Sequence, residues 1–470
     1  MTVSMQDHDD IMRDVTQGVQ DISLPDAPPG FGDESPVAAR PPAQPSVRQP
    51  LVTPNPNERR PFDEMAAHGP PAKPVPFDKP RFERGRRDDV LVYIEQTKKH
   101  SVAKNVLFRD FSREFGDADG ALCRVKQAYW PLPYKEKINT IMGHVEICVL
   151  LSRCIQDGSD EDLSSNSGSE NSDGDDDIVF QVTNRYVAVK VNYCGRMDRL
   201  RDKHAEDPLK EIAAMQVIGN SHPNVMGTLE VLFDGANLNV VMPYCGSGDL
   251  FELLQESQAT GKGFSEGIAR YWFRQILAGV QYLHSRGICH RDLSPENVMI
   301  DKDNSLIIDM GMAIRVPYTD PTNPELVTDI TRGTAKRLIV PQGACGKLPY
   351  MSPEVYKSRR AFDGGAVDVW TAGTILFCMV TGNRSYQRPH DTDAQYYWMT
   401  HGLRRLVSDW GVELSNECLH LMENMLQVDP RIRLTLDEIL RHPWMLLPDA
   451  APPSQRPGDP TGNPMYREDF

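Results

Sequence analysis

The spacing of hydrophobic residues changes near the middle of the chain. Segments 141–154, 178–192 and 238–242 alternate apolar with polar residues or carry short apolar runs, which indicates β-strands. Segment 271–284 instead repeats apolar side chains every three or four residues, as an amphipathic helix does. A strand-rich first part followed by a helix-rich second part predicts an α+β fold with two lobes: a small β-rich lobe and a larger helical one.

Residues 86–137 carry a further set of apolar positions, whose spacing suggests one or two amphipathic helices. The set comprises Leu91, Ile94, Val102, Val106, Leu107, Phe111 and Phe115. We predict a helical extension here. It would either cap the domain that follows or form a small module of its own, and no residue in it points to a particular role.

Three segments are predicted to be disordered. Residues 1–85 and 448–470 are rich in proline, and residues 155–177 form an acidic run that contains serines. Segments with so few large apolar side chains cannot offset the entropy lost on ordering. The folded domain is therefore predicted to span 138–447, with the acidic run as an insert between two of its strands.

The net charge of −15 is concentrated in one place, because nine acidic and no basic residues lie between Asp157 and Asp177. Nonspecific binding to nucleic acid needs a basic surface, so we expect no nucleic-acid partner. The nine cysteines form no Cys-x-x-Cys pair and no zinc-type spacing. This pattern favours a reducing compartment over a disulfide scaffold.

We expect neither a signal peptide nor a membrane-spanning segment in this sequence. The first ten residues are polar and acidic, unlike a signal peptide. The most apolar helical segment, 366–380, is shorter than the roughly 20 residues that cross a bilayer. We interpret it as a buried helix, and we expect an intracellular, cytoplasmic protein without a membrane partner.

Segment 290–297 reads His-Arg-Asp-Leu-Ser-Pro-Glu-Asn, and it places Asp292 five residues before the carboxamide of Asn297. A second carboxylate, Asp309, follows in the sequence Asp-Met-Gly. Carboxylate and amide oxygens are ligands for Mg²⁺, and a separate carboxylate can accept the proton of a hydroxyl group. Phosphoryl transfer from ATP requires these groups.

Segment 187–190, Val-Ala-Val-Lys, would point Ala188 and Lys190 to one face, because side chains alternate along a strand. A small residue beside a lysine can admit a flat adenine and place an ammonium group on its phosphates. Glu211 lies in a helix-favouring run and could pair with Lys190. Each feature alone is common on protein surfaces, so only their order relative to the Asp-containing segments makes them informative.

In this order the segments resemble the catalytic domain of a eukaryotic protein kinase of the serine/threonine type, over about 300 residues. The resemblance implies that Lys190 holds the α- and β-phosphates of ATP and that Glu211 positions Lys190. It implies that Asp292 is the catalytic base. By the same resemblance, Asn297 and Asp309 bind Mg²⁺.

Other segments agree with the resemblance. Segment 352–354, Ser-Pro-Glu, is similar to the end of a kinase activation segment, where Glu354 would pair with Arg433. Segment 442–444, His-Pro-Trp, is similar to the last helix of the calcium/calmodulin-dependent kinase group, to which the chain bears a loose likeness.

The resemblance also places an adenine pocket beside segment 241–246. Met242 would be the gatekeeper residue next to the pocket, and backbone groups of Pro243 and Cys245 would face the adenine edge. Asp249 would contact either the ribose or a basic residue of a substrate.

Segment 141–149 stands where the family has its glycine-rich loop, and Ile141 and Val149 are expected to line the nucleotide site, with Val149 in the roof over adenine. Gly143 is the only glycine in this segment, and we place it out of register with the family pattern. Since glycine lets a backbone approach phosphates closely, its loss should loosen the phosphate cradle.

Two residue types have exchanged places relative to the family. Ser294 stands two positions after Asp292, where such kinases carry a lysine that contacts the transferred phosphate. Lys347 stands in the activation segment at a position where they carry a threonine. We predict that Lys347 supplies the cation near Asp292 while Ser294 supplies the hydroxyl group. The alternative is two independent changes, with Lys347 directed to solvent.

The segment between Asp309 and Glu354 is long and carries threonines that an upstream activating kinase could phosphorylate, namely Thr328, Thr331 and Thr334. A phosphate there could pair with Arg291 and order the segment. An unmodified loop explains the same residues, so an upstream kinase is only a candidate partner.

The sequence thus predicts a serine/threonine kinase that uses ATP and Mg²⁺ and acts on a protein substrate. One alternative is a pseudokinase that serves as an interaction scaffold, which the altered glycine loop motivates. Another is a docking adaptor whose proline-rich tail is its working part. The physiological substrate and the oligomeric state do not follow from the sequence.

Overall fold

The two predicted lobes are present in the computed structural model, a β-rich lobe first and a helical lobe after it. The structure describes residues 70–79, 83–84, 86–87, 90–94, 99–103, 106–109, 127–132, 135–153, 180–200, 207–259, 261–320 and 322–455. The predicted acidic insert at 155–177 lies outside these residues.

Eleven strands of the described residues form one sheet, with the order β1-β10-β11-β9-β8-β6-β5-β2 and with β3, β4 and β7 attached at its side. The strands are β1 (Glu83–Arg84), β2 (Arg86–Arg87), β3 (Val90–Ile94), β4 (Lys99–Ala103), β5 (Val106–Arg109), β6 (Gln127–Pro131), β7 (Ile138–Asn139), β8 (Gly143–Arg153), β9 (Phe180–Tyr193), β10 (Glu230–Phe233) and β11 (Asn237–Pro243).

The prediction of helices in 86–137 is wrong, because the described residues of this region form β2 to β6. Leu107 of β5 stands opposite Tyr129 of β6, and both side chains are buried against β8 and β9. The extension therefore widens the sheet instead of capping it. A short apolar run does not distinguish a buried strand from a helix by its spacing, which explains the error. Phe111 and Phe115 lie outside the described residues.

Helices dominate the second lobe. The helices of the described residues are α1 (Cys194–Leu200), α2 (Pro208–Ile218), α3 (Leu250–Ala259), α4 (Glu266–Ser285), α5 (Pro353–Lys357), α6 (Gly364–Thr381), α7 (Ala394–His401), α8 (Leu403–Asp409), α9 (Asn416–Met425), α10 (Leu436–Leu440) and α11 (Pro443–Leu446). Helices α1 and α2 lie between β9 and β10 and belong to the strand-rich first lobe, whereas α3 to α11 belong to the second lobe. Short strands lie between α4 and α5, namely β12 (Ile288–Cys289), β13 (Val298–Asp301), β14 (Asn304–Ile307), β15 (Ile314–Arg315), β16 (Tyr318–Asp320), β17 (Asn323–Thr328) and β18 (Ala335–Lys336).

The centre of the helical lobe is built from α4 and α6. Helix α4 buries one face, including Phe273 and Leu277, as its apolar spacing predicts. Helix α6 is apolar on all sides, and it is the one helix of the described residues that is long and apolar enough to cross a membrane. Because 89% of α6 is buried inside the protein, it is the core helix that the sequence indicates.

Both predicted disordered ends are shorter than expected. Residues 70–79 pair with the segment that precedes α5, through Ala72 with Ile339 and Val75 with Arg315. At the other end, the backbone N–H of Ala450 donates to the carbonyl of Gly267 at the start of α4. The predicted boundaries at 85 and 448 are therefore wrong for these described residues, and the remainder of each end lies outside them.

Candidate active site

Lys190 and Glu211 form the predicted pair. The Lys190 Nζ atom lies 2.8 Å from both carboxylate oxygens of Glu211. Lys190 comes from β9, and Glu211 comes from α2, whose start is fixed by the Asp207 carboxylate accepting the backbone N–H of Leu209 at 3.0 Å. The pair therefore couples the sheet to this helix in one fixed geometry.

Strand pairing locates the face that could receive a nucleotide. Ala188 stands opposite Ile147 of β8 on one side and opposite Met242 of β11 on the other. Lys190 stands opposite Val145. Residues paired across neighbouring strands point to the same face, so these side chains share one surface. They are partly exposed, as the lining of an open site requires.

The assignment of Val149 to the adenine roof is wrong. Val149 stands opposite Tyr186, farther from Lys190, and it is only 2% exposed. Its side chain is covered by residues of the extension, including Val106 and Ala128. Val145 and Ile147, which stand opposite Lys190 and Ala188, are the residues of β8 that we predict for the roof in its place. Apolar alternation does not reveal this choice, because all three side chains share one face of β8.

The register of the glycine-rich loop changes with this correction. With Val145 as the valine of the pattern G-x-G-x-x-G-x-V, Gly143 is in register as the last glycine, while Ile138 and Thr140 replace the first two. Our placement of Gly143 out of register is therefore wrong. Ile141, expected at the nucleotide, lies at the tip of the β7–β8 hairpin and is 45% exposed.

Gly143 has a structural reason to be glycine. A Cβ atom at this position would lie 1.8 Å from the carbonyl oxygen of Val191, so the two strands approach too closely for any side chain. The hairpin is closed by the Thr140 hydroxyl, which accepts the backbone N–H of Gly143 at 3.0 Å. The turn is thus held by the chain's own contacts.

A polar network behind this hairpin was missed in the sequence. His144 Nδ1 lies 2.7 Å from the Tyr193 hydroxyl, and Lys137 Nζ lies 2.8 Å from Glu146 Oε2. His144 and Glu146 are both buried, on the face of β8 opposite Val145. Two buried polar residues at alternating positions of an apolar strand were the available signal. The network ties the hairpin to the end of β9.

The segment after β11 lies where the adenine edge is expected. Pro243 stands opposite Val187 at the end of the strand pairing. Cys245 is buried, and this burial raises the pKa of its thiol to about 12. The Asp249 carboxylate accepts the backbone N–H of Glu252 at 2.9 Å and so caps α3. Burial raises the pKa of Asp249, and neighbouring carboxylates add to the effect.

The loop that carries Asp292 is anchored from below by Asp368 of α6. One Asp368 oxygen accepts the backbone N–H of His290 at 3.0 Å, and the other accepts that of Arg291 at 2.9 Å. His284 Nε2 lies 2.8 Å from the same carboxylate. Arg291 takes a positive φ of 67°, a conformation that most residues avoid, so these bonds hold the loop in a strained turn.

Asp292 receives a hydrogen bond on each of its carboxylate oxygens. The backbone N–H of Lys347 donates to Oδ1 at 2.9 Å, and Asn297 Nδ2 lies 3.3 Å from Oδ2. Burial raises the pKa of Asp292, and the negative charge of Asp309 contributes to the rise. Asp309 has a φ of 65°, and its Oδ1 accepts the backbone N–H of Gly311 at 3.1 Å.

Lys347 and Ser294 meet. The Lys347 ammonium group donates to the Ser294 hydroxyl at 2.7 Å and lies 3.4 Å from Glu296 Oε2. Ser294 is fully buried. Lys347 is therefore directed toward the Asp292 loop and not simply into solvent, as the alternative of two independent changes supposed. Its catalytic role stays a prediction.

Arg291, which we expect to pair with a phosphate, and Lys336 of the activation segment both already contact protein groups. Arg291 is buried, and its Nε donates to the thiol of Cys345 at 3.1 Å. Lys336 Nζ lies 2.6 Å from the Asp363 carboxylate. The predicted ion pair at the end of the segment is also present, with Arg433 Nη1 2.7 Å from Glu354 Oε1.

The class of protein follows from three features taken together. A strand-rich lobe, in which Lys190 pairs with Glu211, is followed by a helical lobe, and a buried loop of the helical lobe presents the carboxylate of Asp292. This arrangement is typical of two-lobed, nucleotide-dependent phosphotransferase domains. The family model described as the protein kinase domain matches residues 177–445. This match covers more than half of the chain, and the chain belongs to the protein kinase family. It begins after β8, so the altered hairpin lies outside the matched residues.

Named relatives agree with this family. The chain is 32% identical over 259 residues to CBL-interacting protein kinase 16 of Oryza sativa subsp. japonica. The aligned region covers 55% of this chain and 50% of that protein. The chain is 32% identical over 255 residues to Serine/threonine-protein kinase SAPK3 of Oryza sativa subsp. indica, covering 50% of this chain and 69% of the relative. It is also 32% identical over 248 residues to Serine/threonine-protein kinase SRK2F of Arabidopsis thaliana, covering 51% and 63%.

Proposed function

We propose that this protein is a serine/threonine protein kinase that transfers the γ-phosphoryl group of ATP to a hydroxyl group of a protein substrate. The observation that carries the proposal is the placement of Asp292, which is held on both oxygens and lies near a second carboxylate. The names of the relatives, two of which are serine/threonine-protein kinases, support the same activity.

The residues present suit ATP and Mg²⁺. Asn297 uses its amide nitrogen to bind Asp292, which leaves its amide oxygen available for a cation. Asp309 adds a carboxylate, and the mutual repulsion of Asp309 and Asp292 would be relieved by a positive ion. Oxygen ligands of this kind are what Mg²⁺ prefers. When bound, the metal–nucleotide complex would supply the phosphoryl group and neutralise part of its charge.

The protein's own groups divide the remaining work. Asp292 would accept the proton of the substrate hydroxyl group, and its hydrogen bond from Lys347 orients the carboxylate. The Lys347 ammonium group, fixed by Ser294, would stabilise negative charge that develops next to Asp292. Lys190, held by Glu211, would orient the phosphates. Ala188, Met242, Val145 and Ile147 offer the apolar surface for adenine.

Our proposal for the substrate is less specific than our proposal for the reaction. Asp249 and Glu296 interact through their negative charges, and Glu252 lies beside them. A cluster of carboxylates beside the catalytic loop would favour a protein substrate with basic residues near its target hydroxyl group. Phosphorylation by an upstream kinase at one of the activation-segment threonines stays part of the proposal.

The experiment is a transfer assay with radiolabelled ATP and Mg²⁺. The full chain, an Asp292→Asn variant and an Asp437→Asn control would be compared on a peptide that carries arginines before a serine, and on the protein itself. Asp437 is exposed on α10, so its variant should match the wild type. Asp292→Asn should lose activity by roughly 100-fold or more. No transfer by the wild type, before or after activation-segment phosphorylation, would favour the scaffold alternative.

A further inference from the structure

Residues 70–79, here called the strap, lie against the activation segment and pair with it through backbone hydrogen bonds. The backbone N–H of Ala72 donates to the carbonyl of Leu338 at 3.0 Å, and the N–H of Val340 donates back to the carbonyl of Ala72 at 3.0 Å. The N–H of Val75 donates to the carbonyl of Arg315 at 3.2 Å. The strap thus pairs with the activation segment through two isolated β-bridges, parallel at Ile339 and antiparallel at Arg315. Main-chain pairing of this kind is what a bound peptide makes at a sheet edge.

Two arginines of the activation segment fasten the strap through its carbonyl groups. Arg337 is 3% exposed, and its Nε donates to the carbonyl of Pro70 at 2.7 Å. Arg315 donates to the carbonyl of Pro76 at 3.4 Å and lies 6.0 Å from the ring centre of Phe77. Proline carbonyls accept hydrogen bonds although proline has no N–H, so a proline-rich strand suits this surface.

The activation segment lies between the strap and the segment that contains Phe362. Ile339 exchanges hydrogen bonds with Phe362 on its other side, at 2.8 and 3.0 Å. The Ile339 side chain is fully buried in a cluster that contains Cys345 and Met351, which precede and follow Lys347 in the chain. The strap therefore supports the segment that delivers Lys347 to Ser294.

We propose that Arg315, Arg337 and the backbone of residues 338–340 form a docking site for an extended proline-rich peptide, that the strap is its occupant, and that docking sustains catalytic activity. The inference rests on the proposed kinase activity. Arg291 already binds Cys345, so the activation segment has a protein contact at the position where a phosphate was expected to order it. Lys336 is also paired, with Asp363. The strap supplies the hydrogen bonds on the side of residues 338–340 that faces away from Phe362.

Two proline substitutions in the full chain test the docking. Ala72→Pro removes the N–H that binds Leu338. Lys73→Pro is the matched control, because no described group accepts the N–H of Lys73, which is exposed. Amide hydrogen exchange at Val340 reports the strap, whereas exchange at Ile339 reports the bond to Phe362. In Ala72→Pro, Val340 should exchange roughly tenfold faster or more, with Ile339 unchanged. Unchanged protection of Val340 overturns the docking.

Activity is measured on the same proteins with the arginine-containing serine peptide. Ala72→Pro should lower kcat roughly tenfold, within the usual range of coupling between sites, and Lys73→Pro should not. A synthetic peptide of residues 70–79 should restore part of the activity of Ala72→Pro. Equal activity of the two variants overturns the sustaining role, and so does higher activity in Ala72→Pro, which would make the strap inhibitory. An inactive wild type would overturn the proposed function, while the exchange data would still report docking.

Discussion

Lys347 and Ser294 acquire a meaning only when they are considered together. Either substitution alone departs from the kinase pattern. The two side chains are joined by a hydrogen bond of 2.7 Å, so the ammonium group and the hydroxyl group meet at one point of the structure. The arrangement keeps one cation and one hydroxyl group beside Asp292, with their sources reversed. The position of a charge, and not the identity of the strand or loop that carries it, is what stabilises a transition state.

This exchange predicts a rescue. Lys347→Thr should lower kcat by roughly 100-fold, because the ammonium group beside Asp292 is lost. Adding Ser294→Lys to that variant should recover much of the loss by returning the cation to the catalytic loop. Steady-state kinetics of the single and double variants, with peptide and ATP varied separately, measures both effects.

Lys357→Thr serves as the matched control for this pair, since Lys357 is an exposed lysine of α5 and should be replaceable without effect on kcat. Full activity in Lys347→Thr would show that the contact with Ser294 has no part in the reaction. Thermal unfolding of each variant separates a loss of activity from a loss of fold.

At the scale of elements, the β7–β8 hairpin replaces a flexible glycine-rich loop with a turn held by Thr140, Gly143 and the network around His144. Such a turn is more fixed than a chain of glycines, because each fixed contact removes backbone freedom. A phosphate would then meet a preformed surface, and the loss of glycine need not abolish nucleotide binding.

Gly143→Ala tests how tightly the hairpin fits. The new methyl group would collide with the carbonyl of Val191, so we expect a loss of about 1 to 3 kcal/mol in the free energy of unfolding and a higher KM for ATP. Gly195→Ala is the control, since a Cβ atom there meets no atom within 4 Å. It should change stability by less than ~1 kcal/mol. Urea unfolding of both variants decides the matter, and equal stabilities would contradict the close packing of Gly143.

Elements with one clear period were predictable from the sequence, and those without one were not. Helix α4 follows from its apolar spacing, and the pairing of Lys190 with Glu211 follows from motif order. The shift from Val149 to Val145 does not follow from apolar alternation, because both side chains point to one face and the strand register separates them. The sequence signal for it is Gly143 two residues before Val145, which fits the end of the glycine-loop pattern. The strap was missed for a different reason. Its proline content indicates disorder, and its binding partner lies in a distant part of the chain.

At the scale of the whole molecule, Asp368 connects the core helix α6 to the catalytic loop. Burial alone would raise its pKa, but the hydrogen bond and charge of His284 and the N–H of Arg291 outweigh burial, and the pKa of Asp368 lies below its ordinary value of 3.8. A carboxyl group with a lowered pKa in the folded state adds stability above its ordinary pKa. This stability is lost as the pH falls below 3.8 toward the lowered value.

Asp368→Asn should therefore reduce the free energy of unfolding at neutral pH, by roughly 2 to 3 kcal/mol, because buried donors lose a charged acceptor. The variant should also show a flatter decline of stability in acid than the wild type. Asp391→Asn, at an exposed position, is the control and should follow the wild-type curve. Denaturant unfolding at a series of pH values makes the comparison, and parallel wild-type and Asp368→Asn curves in acid would refute the assignment.

The strap is synthesised long before the surface that it binds. Pro70 and Arg337 are separated by 267 positions, so the strap leaves the ribosome on the order of ten seconds or more before its partner exists. An unpaired strand edge exposed for that time invites association with other chains. Four of the ten strap residues are proline, which lack the N–H groups that such association uses. The same proline content that suits the docked strap therefore disfavours association between nascent chains before Arg337 is synthesised.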